Sequence, residues 1–591
     1  MKESKIDVSR IIRNTGIILF LFIINTIALT SILFFVKISI SIFHIPIAFL
    51  LTILEFVLIY RKKVSVIQMI ISFIISVLIF LLSIFIAGNT YDLTWDGNTY
   101  HKTAIGSLKN GWNPVYENVE DFNIENGNKI DIDKEENNKL WVNHYPKASW
   151  IFTANVYKIT NNLEMAKILN TLIIYISFIL LATYLSKKIN KIWGIILAFL
   201  ISFNPITVTQ IFSNYIDGIL GLSLFMILYS LIVITDIKYN KKENVEEQDE
   251  KFDLKEHYLI LTLAIILIIN LKFTGMVYAG IFCFLFYIYW LYKEYKNNNL
   301  KKAIINYTSF YVIVVLFSTI IVGYSSYVKN LIDEGHPFYP LFGENKVDII
   351  THNQPYYFKD RGIIKKFLIT MFSEGSNVHD SYGDNREKPS FKIPFTITEN
   401  EISEYARPDT RISGFGPLYS GIFIISCLYT LYMIIKMWKE KKYNILVPFL
   451  LILFGMFILV LATDGSWWAR YTPYLYLIPI FNLIYMISRK NKLNLVFSII
   501  FSILLLTNIS LIIYANCDAH LNKYTGIRGA LQEFESYANT HDEVTVKLKT
   551  TGFEGIKYNI ADLEIDLNKV KYVEEIENPK KNVYFFSYHK E

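Results

Sequence analysis

Cysteine is scarce in this chain, with three among 591 residues. Cys283 and Cys427 lie inside apolar runs and Cys517 follows the last one, which leaves no disulfide framework and no thiolate metal site. Charge is scarce as well: 19% of residues are Asp, Glu, Lys or Arg against 53% hydrophobic. That balance excludes an ordinary soluble multidomain protein. There is no P-loop and no dinucleotide-binding glycine fingerprint, and His101 and His144 lack the helical spacing of a zinc-binding pair. No internal repeat stands out, although transporters often carry one. The formal charge of +6 sits in short basic clusters between apolar runs and not along one face, so nucleic acid is not an expected partner.

Long apolar runs are what the chain has instead, with a mean hydropathy of +0.33 and 16% aromatic residues. Runs near the bilayer-crossing length of about 20 residues begin near Asn14, Ser39, Val64, Lys167, Ile192, Ile216, Tyr258, Gly275, Ile304, Gly416, Asn444, Pro473 and Asn494. They predict an all-α polytopic membrane protein with about 13 transmembrane helices, the one from Tyr258 being short. No small-residue cleavage site follows the first run, which reads as a retained anchor.

Basic loops orient the chain. The amino terminus, 61–63, 186–191, 236–256, 293–302, 436–442 and 488–492 are basic or of mixed charge, and strict alternation puts them all on one side. The expectation is a multi-pass protein of the cell membrane with a cytoplasmic amino terminus and an extracytoplasmic carboxy terminus. Residues 1–514 form the membrane domain, with external loops 88–165 and 325–415. Residues 515–591 read as a small extracytoplasmic α/β domain, with helix-like GALQEFESYANT and strand-like EVTVKLKT, KVKYVEEI and NVYFFSYH. That domain could guide an acceptor or serve only as a stabilising cap.

The unusual residues gather on the external side. They include YDLTWDGNTYH (91–101), WVNHYPKASW (141–150), SNYIDG (213–218), LKFTG (271–275), GHPFYPLFG (335–343), RISGFGPL (411–418) and GSWWARY (465–471). Asp92 and Asp96 are four residues apart, a spacing that puts both carboxylates on one face if the segment is helical. A carboxylate at the mouth of a membrane cavity can take a proton from an attacking hydroxyl, or hold a divalent cation that binds phosphate. His101 could assist, or could be a solvent-exposed interfacial histidine. Arg470, flanked by Trp467, Trp468 and Tyr471, could grip a phosphate bidentately, or snorkel and stack on the aromatic rings. Lys272 lies between two apolar runs, where a cation is costly unless it is paired or faces a polar cavity; an ion pair with Asp217 is the structural alternative.

The Asp-bearing first external loop, followed by LKFTG, GHPFYPLFG, GFGPL and WWARY on the same side, resembles the bacterial integral-membrane glycosyltransferases of superfamily C (GT-C). By layout the chain is similar to protein O-mannosyltransferases, lipid A aminoarabinose transferases and oligosaccharyltransferases. The resemblance covers residues 64 to 490. It implies a polyprenyl-phosphate sugar donor held in the lipid bilayer, an extracytoplasmic acceptor, and an acid in the first external loop as base or metal ligand. That role maps to Asp96, with Asp92 as the alternative, and donor-phosphate binding maps to Arg470 and Lys272. Asp217, His101, Tyr100 and Trp468 complete the expected substrate-binding set.

Two features depart from the family pattern. Three helices precede the acidic loop, and its membrane-proximal acids form neither an adjacent pair nor Asp-x-Asp; Glu120-Asp121 and Asp131-Ile132-Asp133 lie in a polar stretch that reads as solvated loop. Rival classes are a lipid-linked-substrate flippase or transporter and a polysaccharide polymerase or ligase. Arg361, Arg386, Arg407 and Arg411 in the second large loop keep the latter open.

Overall fold

The computed structural model describes residues 7–125, 136–240, 247–377, 388–489, 491–548, 555–574 and 586–588. Asp131, Asp133, Arg386 and positions 241–246 of the charged linker lie outside the described residues. The chain is mostly helical. Among the described residues, ten helices are long and apolar enough to cross a membrane, and three shorter apolar helices accompany them.

In chain order these apolar helices are α1 (Val8–Phe35), α2 (His44–Tyr60), α3 (Val66–Gly88), α4 (Leu169–Lys188), α5 (Lys191–Ser202), α6 (Asp217–Tyr239), α7 (Glu247–Leu271), α8 (Phe273–Lys296), α9 (Leu300–Leu316), α10 (Tyr419–Lys439), α11 (Tyr443–Ala462), α12 (Leu477–Ser488) and α13 (Lys492–Thr540). The short ones are α2, α5 and the stretch Pro473–Ser488 that contains α12. The expectation of a short helix from Tyr258 is corrected: α7 starts at Glu247 and offers a 19-residue span from Asp253. The apolar run was read too late because Lys255 and Glu256 precede it. Glu256 is in fact buried and ion-paired with Arg10 and Arg13 of α1.

α6 is buried through most of its length and forms the centre of the bundle. α2, α3 and α9 keep long runs of Ile, Leu and Val exposed, as lipid-facing helices do. The joint at Lys272 is a single extended residue between α7 and α8. Gly275 makes that reversal possible, because a Cβ there would stand 2.2 Å from the Ile268 carbonyl oxygen. The chain therefore folds straight back, and the Lys272 side chain is left at the common end of the two helices.

The expected domain boundary at residue 515 falls inside α13, a continuous helix of 49 residues. At 1.5 Å per residue it is about 74 Å long, well over twice the hydrocarbon thickness. Its last turns bury Ile527, Leu531, Phe534 and Ala538 against Val544, Val546, Leu548, Ile556, Ile560 and Val570 of the carboxy-terminal unit. That unit has a three-stranded sheet of order β2-β1-β3, with β1 (Val544–Leu548) parallel to β2 (Val570–Glu574) and antiparallel to β3 (Phe586–Tyr588). The short helix Gly555–Ala561 keeps Ile556 and Ile560 in that core and also packs on the loop after α3.

Candidate functional site

The loop after α3 is set by Asp92. Its Oδ1 accepts from the Thr94 backbone N–H at 2.9 Å and the Thr94 hydroxyl at 2.6 Å, while Oδ2 accepts from the Asn214 backbone and side-chain amides at 2.8 and 2.9 Å. Both oxygens are thus spent on shaping a turn. Helix starts only after this turn, so Asp92 and Asp96 do not share a helical face, and the expected supporting acid is a buried turn-former. Gly97 is required there: a Cβ would stand 2.2 Å from Asp92 Oδ2 and 2.3 Å from Thr94 Oγ1. Residues Gly97–His101 then form a π-helical turn, a local widening that is frequent at functional sites. Across it the Tyr100 hydroxyl donates to Asp96 Oδ2 at 3.3 Å.

Asp96 meets Arg470 on the far side of the site. GSWWARY forms two 3-10 turns, Asp464–Trp467 and Ala469–Tyr471, between α11 and α12. The Tyr278 hydroxyl of α8 donates to the Tyr471 carbonyl at 2.6 Å and holds this segment down. The Arg470 guanidinium lies over the rings of Tyr215, Trp468 and Tyr471 at 4.9, 4.6 and 5.3 Å. Its nitrogens face three carboxylates: Nε is 3.1 Å from Asp217 Oδ2, Nη2 3.6 Å from Asp96 Oδ2, and Nη1 3.9 Å from Asp409 Oδ2.

Asp217 occupies the first turn of α6, where the helix dipole favours an acid. It also accepts from Lys272 Nζ at 2.7 Å, so the ion pair considered from the sequence is present. Lys272 in turn lies 4.4 Å over the Tyr471 ring. Arg411 sits 3.7 Å from Asp409 and 4.9 Å over Trp468, whose indole N–H donates to the Asp409 carbonyl at 2.9 Å. Three acids thus face three bases in one cluster. Side-chain exposure rises from 3% at Asp217, through 10% at Arg470, to 23% at Asp96. Asp217 is the floor of the cluster and Asp96 its open rim.

Burial raises the Asp96 carboxyl above the ordinary aspartate range, Arg470 pulls it down, and Asp409 and Asp217 push it up again. Arg470 is held firmly charged: burial opposes the charge, and Asp217, with Tyr471, Tyr215 and Asp96, more than offsets it. His101 is buried and not solvent-exposed, which corrects that expectation. Its Nδ1 accepts from the Trp150 indole at 2.6 Å, and burial pushes its pKa down to about 3, so it is a neutral packing group behind Tyr100.

The sequence reading brought Asp96, Tyr100, Asp217, Lys272, Trp468 and Arg470 forward, and the structure places all of them in this cluster. It missed Asp409 and Tyr215. Asp409 had one visible signal, an acid between Arg407 and Arg411 in a loop otherwise read for its arginines. Of those arginines that are described, Arg361 stacks 3.8 Å over Tyr357, and Arg411 reaches the cluster. Among the described residues no three His, Cys, Asp or Glu side chains are placed to hold a metal ion; in this cluster the Arg470 guanidinium faces all three carboxylates.

Fold and site together define a polytopic helical membrane protein with a buried, charge-balanced cluster where separate helix ends meet. No known family profile matches the chain, and no curated protein matches it.

Proposed function

We propose that this chain is a GT-C-type membrane glycosyltransferase that moves a sugar from a polyprenyl-phosphate donor to an extracytoplasmic acceptor, with inversion at the anomeric carbon. The observation that carries the reading is the loose contact of Arg470 with the rim. Its two terminal nitrogens stand 3.6 and 3.9 Å from Asp96 and Asp409, beyond hydrogen-bond length, and Nε, 3.1 Å from Asp217, makes an ion pair with it and no hydrogen bond. A guanidinium held among carboxylates by charge, with no hydrogen bond to any of them, can present two N–H groups to two phosphate oxygens.

In this mechanism the acceptor hydroxyl attacks the anomeric carbon as its proton passes to the Asp96 carboxylate. The bond from that carbon to the phosphate oxygen breaks, and Arg470 and Lys272 stabilise the leaving polyprenyl phosphate. Tyr100 orients Asp96, and Asp217 holds both cations in place. The cluster gathers at helix ends, the start of α6 and the α7–α8 joint among them. The basic loops favour an external site, with the amino terminus in the cytoplasm.

The test is an in vitro transfer assay with polyprenyl-phosphate sugars, comparing wild type with Asp96→Asn, with and without chelator. Transfer should fall by about 10²-fold or more in the variant and be unaffected by chelation. Undiminished transfer by Asp96→Asn would remove Asp96 as base, and loss on chelation would restore a metal role. No transfer from any such donor by wild type would sink the reading as a whole.

A further inference from the structure

Beside the charged cluster, outside the apolar helices, a second surface has a composition that water does not explain. Helix Ile363–Met371 exposes Ile364 and Leu368, one turn apart on one face. Its other side buries Lys366, which pairs with both oxygens of Asp464 at 2.9 Å. The short extended stretch 391–393 does the same with period two: Phe391 and Ile393 point outward, and Lys392 points inward to a buried ion pair with Glu401, before the chain turns at Phe395, where φ is +69°. Phe391 is 74% and Ile393 66% exposed. The two pieces are joined, since the Lys392 N–H donates to the Phe372 carbonyl at 2.8 Å and Ser373 bridges to Phe391. Ion pairs on the inner side hold these apolar side chains outward.

The position of this face identifies what covers it. Phe395 rests on Gly421, where a Cβ would stand 2.4 Å from its ring, and Phe367 meets Phe423 at 6.1 Å. Both partners lie in the first turns of α10, a candidate membrane span. Helix Ile363–Met371 also packs on α11 and on the turn that follows it. The apolar face therefore continues the exposed strips of those two spans, Leu428, Leu431 and Ile435 on α10 and Phe454, Phe457 and Leu461 on α11, at the level where both spans end. Exposed Lys365 and Lys388 lie close by. Apolar side chains at that level with lysines beside them are the pattern of an interfacial segment.

We infer that residues 363–372 and 391–397 lie in the plane of the membrane and insert into the headgroup–acyl boundary, so that the lipid surface is their partner. The Lys366–Asp464 pair joins this inserted face to the segment that carries Arg470. The inference stands independently of the proposed transfer reaction.

The experiment uses the full chain with Cys283→Ala, Cys427→Ser and Cys517→Ser, and single cysteines at Ile364, Leu368, Ile393 or, as a control, the exposed Ser403. Each variant is labelled with bimane and reconstituted into phosphatidylcholine–phosphatidylglycerol vesicles. Brominated acyl chains should quench positions 364, 368 and 393 at least about two-fold more than position 403, given insertion of roughly 5–10 Å. Aqueous iodide should show the reverse order. Equal quenching at all four positions by both reagents would overturn the inference. Cross-linking between copies through Leu368→Cys in the same vesicles would overturn it as well, by showing that a second chain covers the face.

Discussion

Glu164 carries the charge balance behind the Asp96 loop, and removing that charge should be costly. Its buried carboxylate accepts from Lys102 Nζ at 2.7 Å, Lys167 Nζ at 2.8 Å, the Asp92 N–H at 3.0 Å and Asn559 Nδ2 at 2.9 Å. Glu164→Gln keeps the size and removes the charge, leaving two buried ammonium groups facing an amide. Breaking a buried pair in this way costs about 3–5 kcal/mol. The lysines keep other acceptors: Lys167 has the Ala87 and Thr90 carbonyls at 2.8 and 2.6 Å, and Lys102 has Asn98 and Asn559 Oδ1, each at 2.9 Å. These place the loss at the lower end, about 3 kcal/mol.

The assay is unfolding of the purified protein in mixed micelles titrated with sodium dodecyl sulfate, followed by tryptophan fluorescence. Adding Lys102→Met to Glu164→Gln removes one of the two uncompensated charges and should recover about 1 kcal/mol or more, a non-additive result. A loss below about 1 kcal/mol for Glu164→Gln, the scale of an exposed pair, would refute the reasoning. So would simple additivity in the double variant.

Three other perturbations probe separate parts of the molecule. Gly97→Ala forces a Cβ to within 2.2 Å of Asp92 Oδ2 and should cut the proposed transfer sharply, whereas Gly529→Ala on α13, with nothing within 4 Å, should stabilise that helix by about 0.5–1 kcal/mol in thermal melts. Asp562 accepts from the Tyr157 hydroxyl and, at 2.7 Å, from the Leu163 N–H; burial pushes its pKa up to about 6, so its docking contribution is full below the unfolded value near 3.8 and is lost as pH rises through about 6. Asp562→Asn should therefore gain stability relative to wild type between pH 4 and 7, by up to about 2–3 kcal/mol, and a pH-independent difference in melting temperature would count against this assignment. Arg470→Met removes the cation that lowers the Asp96 pKa, so for the proposed transfer, with Asp96 as the proposed base, the acidic limb of kcat/KM against pH should move to higher pH; an unmoved limb means that Asp96 is not the titrating group.

Much of the bundle was legible because a bilayer imposes length: an apolar run near 20 residues announces itself. The start of α7 was hidden because Glu256 is charged, and only its partners on α1 explain why it can be buried. The continuity of α13 was hidden by the polar stretch after Ala515, which reads as a break. The helix persists because Ile527, Leu531, Phe534 and Ala538, three or four residues apart, have a sheet to pack against. In the site, charged residues at apolar boundaries were visible one by one, and Arg470, Lys272 and Asp217 do meet. The separate tasks of Asp92 and Asp96 were not visible, because Asp92 is defined by Asn214, 122 positions away. Asp409 stayed hidden because its role comes from Arg470, in a different loop.

The docking of helix Gly555–Ala561 also has a consequence in time. Lys102 bonds to Asn559 across 457 positions, Tyr157 to Asp562 across 405, and Glu164 to Asn559 across 395. A ribosome makes the Asp96 loop early and the groups that brace it last. Through most of synthesis that loop must wait, with Lys102 and Glu164 lacking one of their partners, while the later apolar helices are inserted. Closure of so long a span of chain is slow compared with local helix formation, so assembly of the membrane bundle and maturation of the site are separate events. A nascent chain stalled after α12 would hold nearly every apolar helix and still lack the brace that sets the loop.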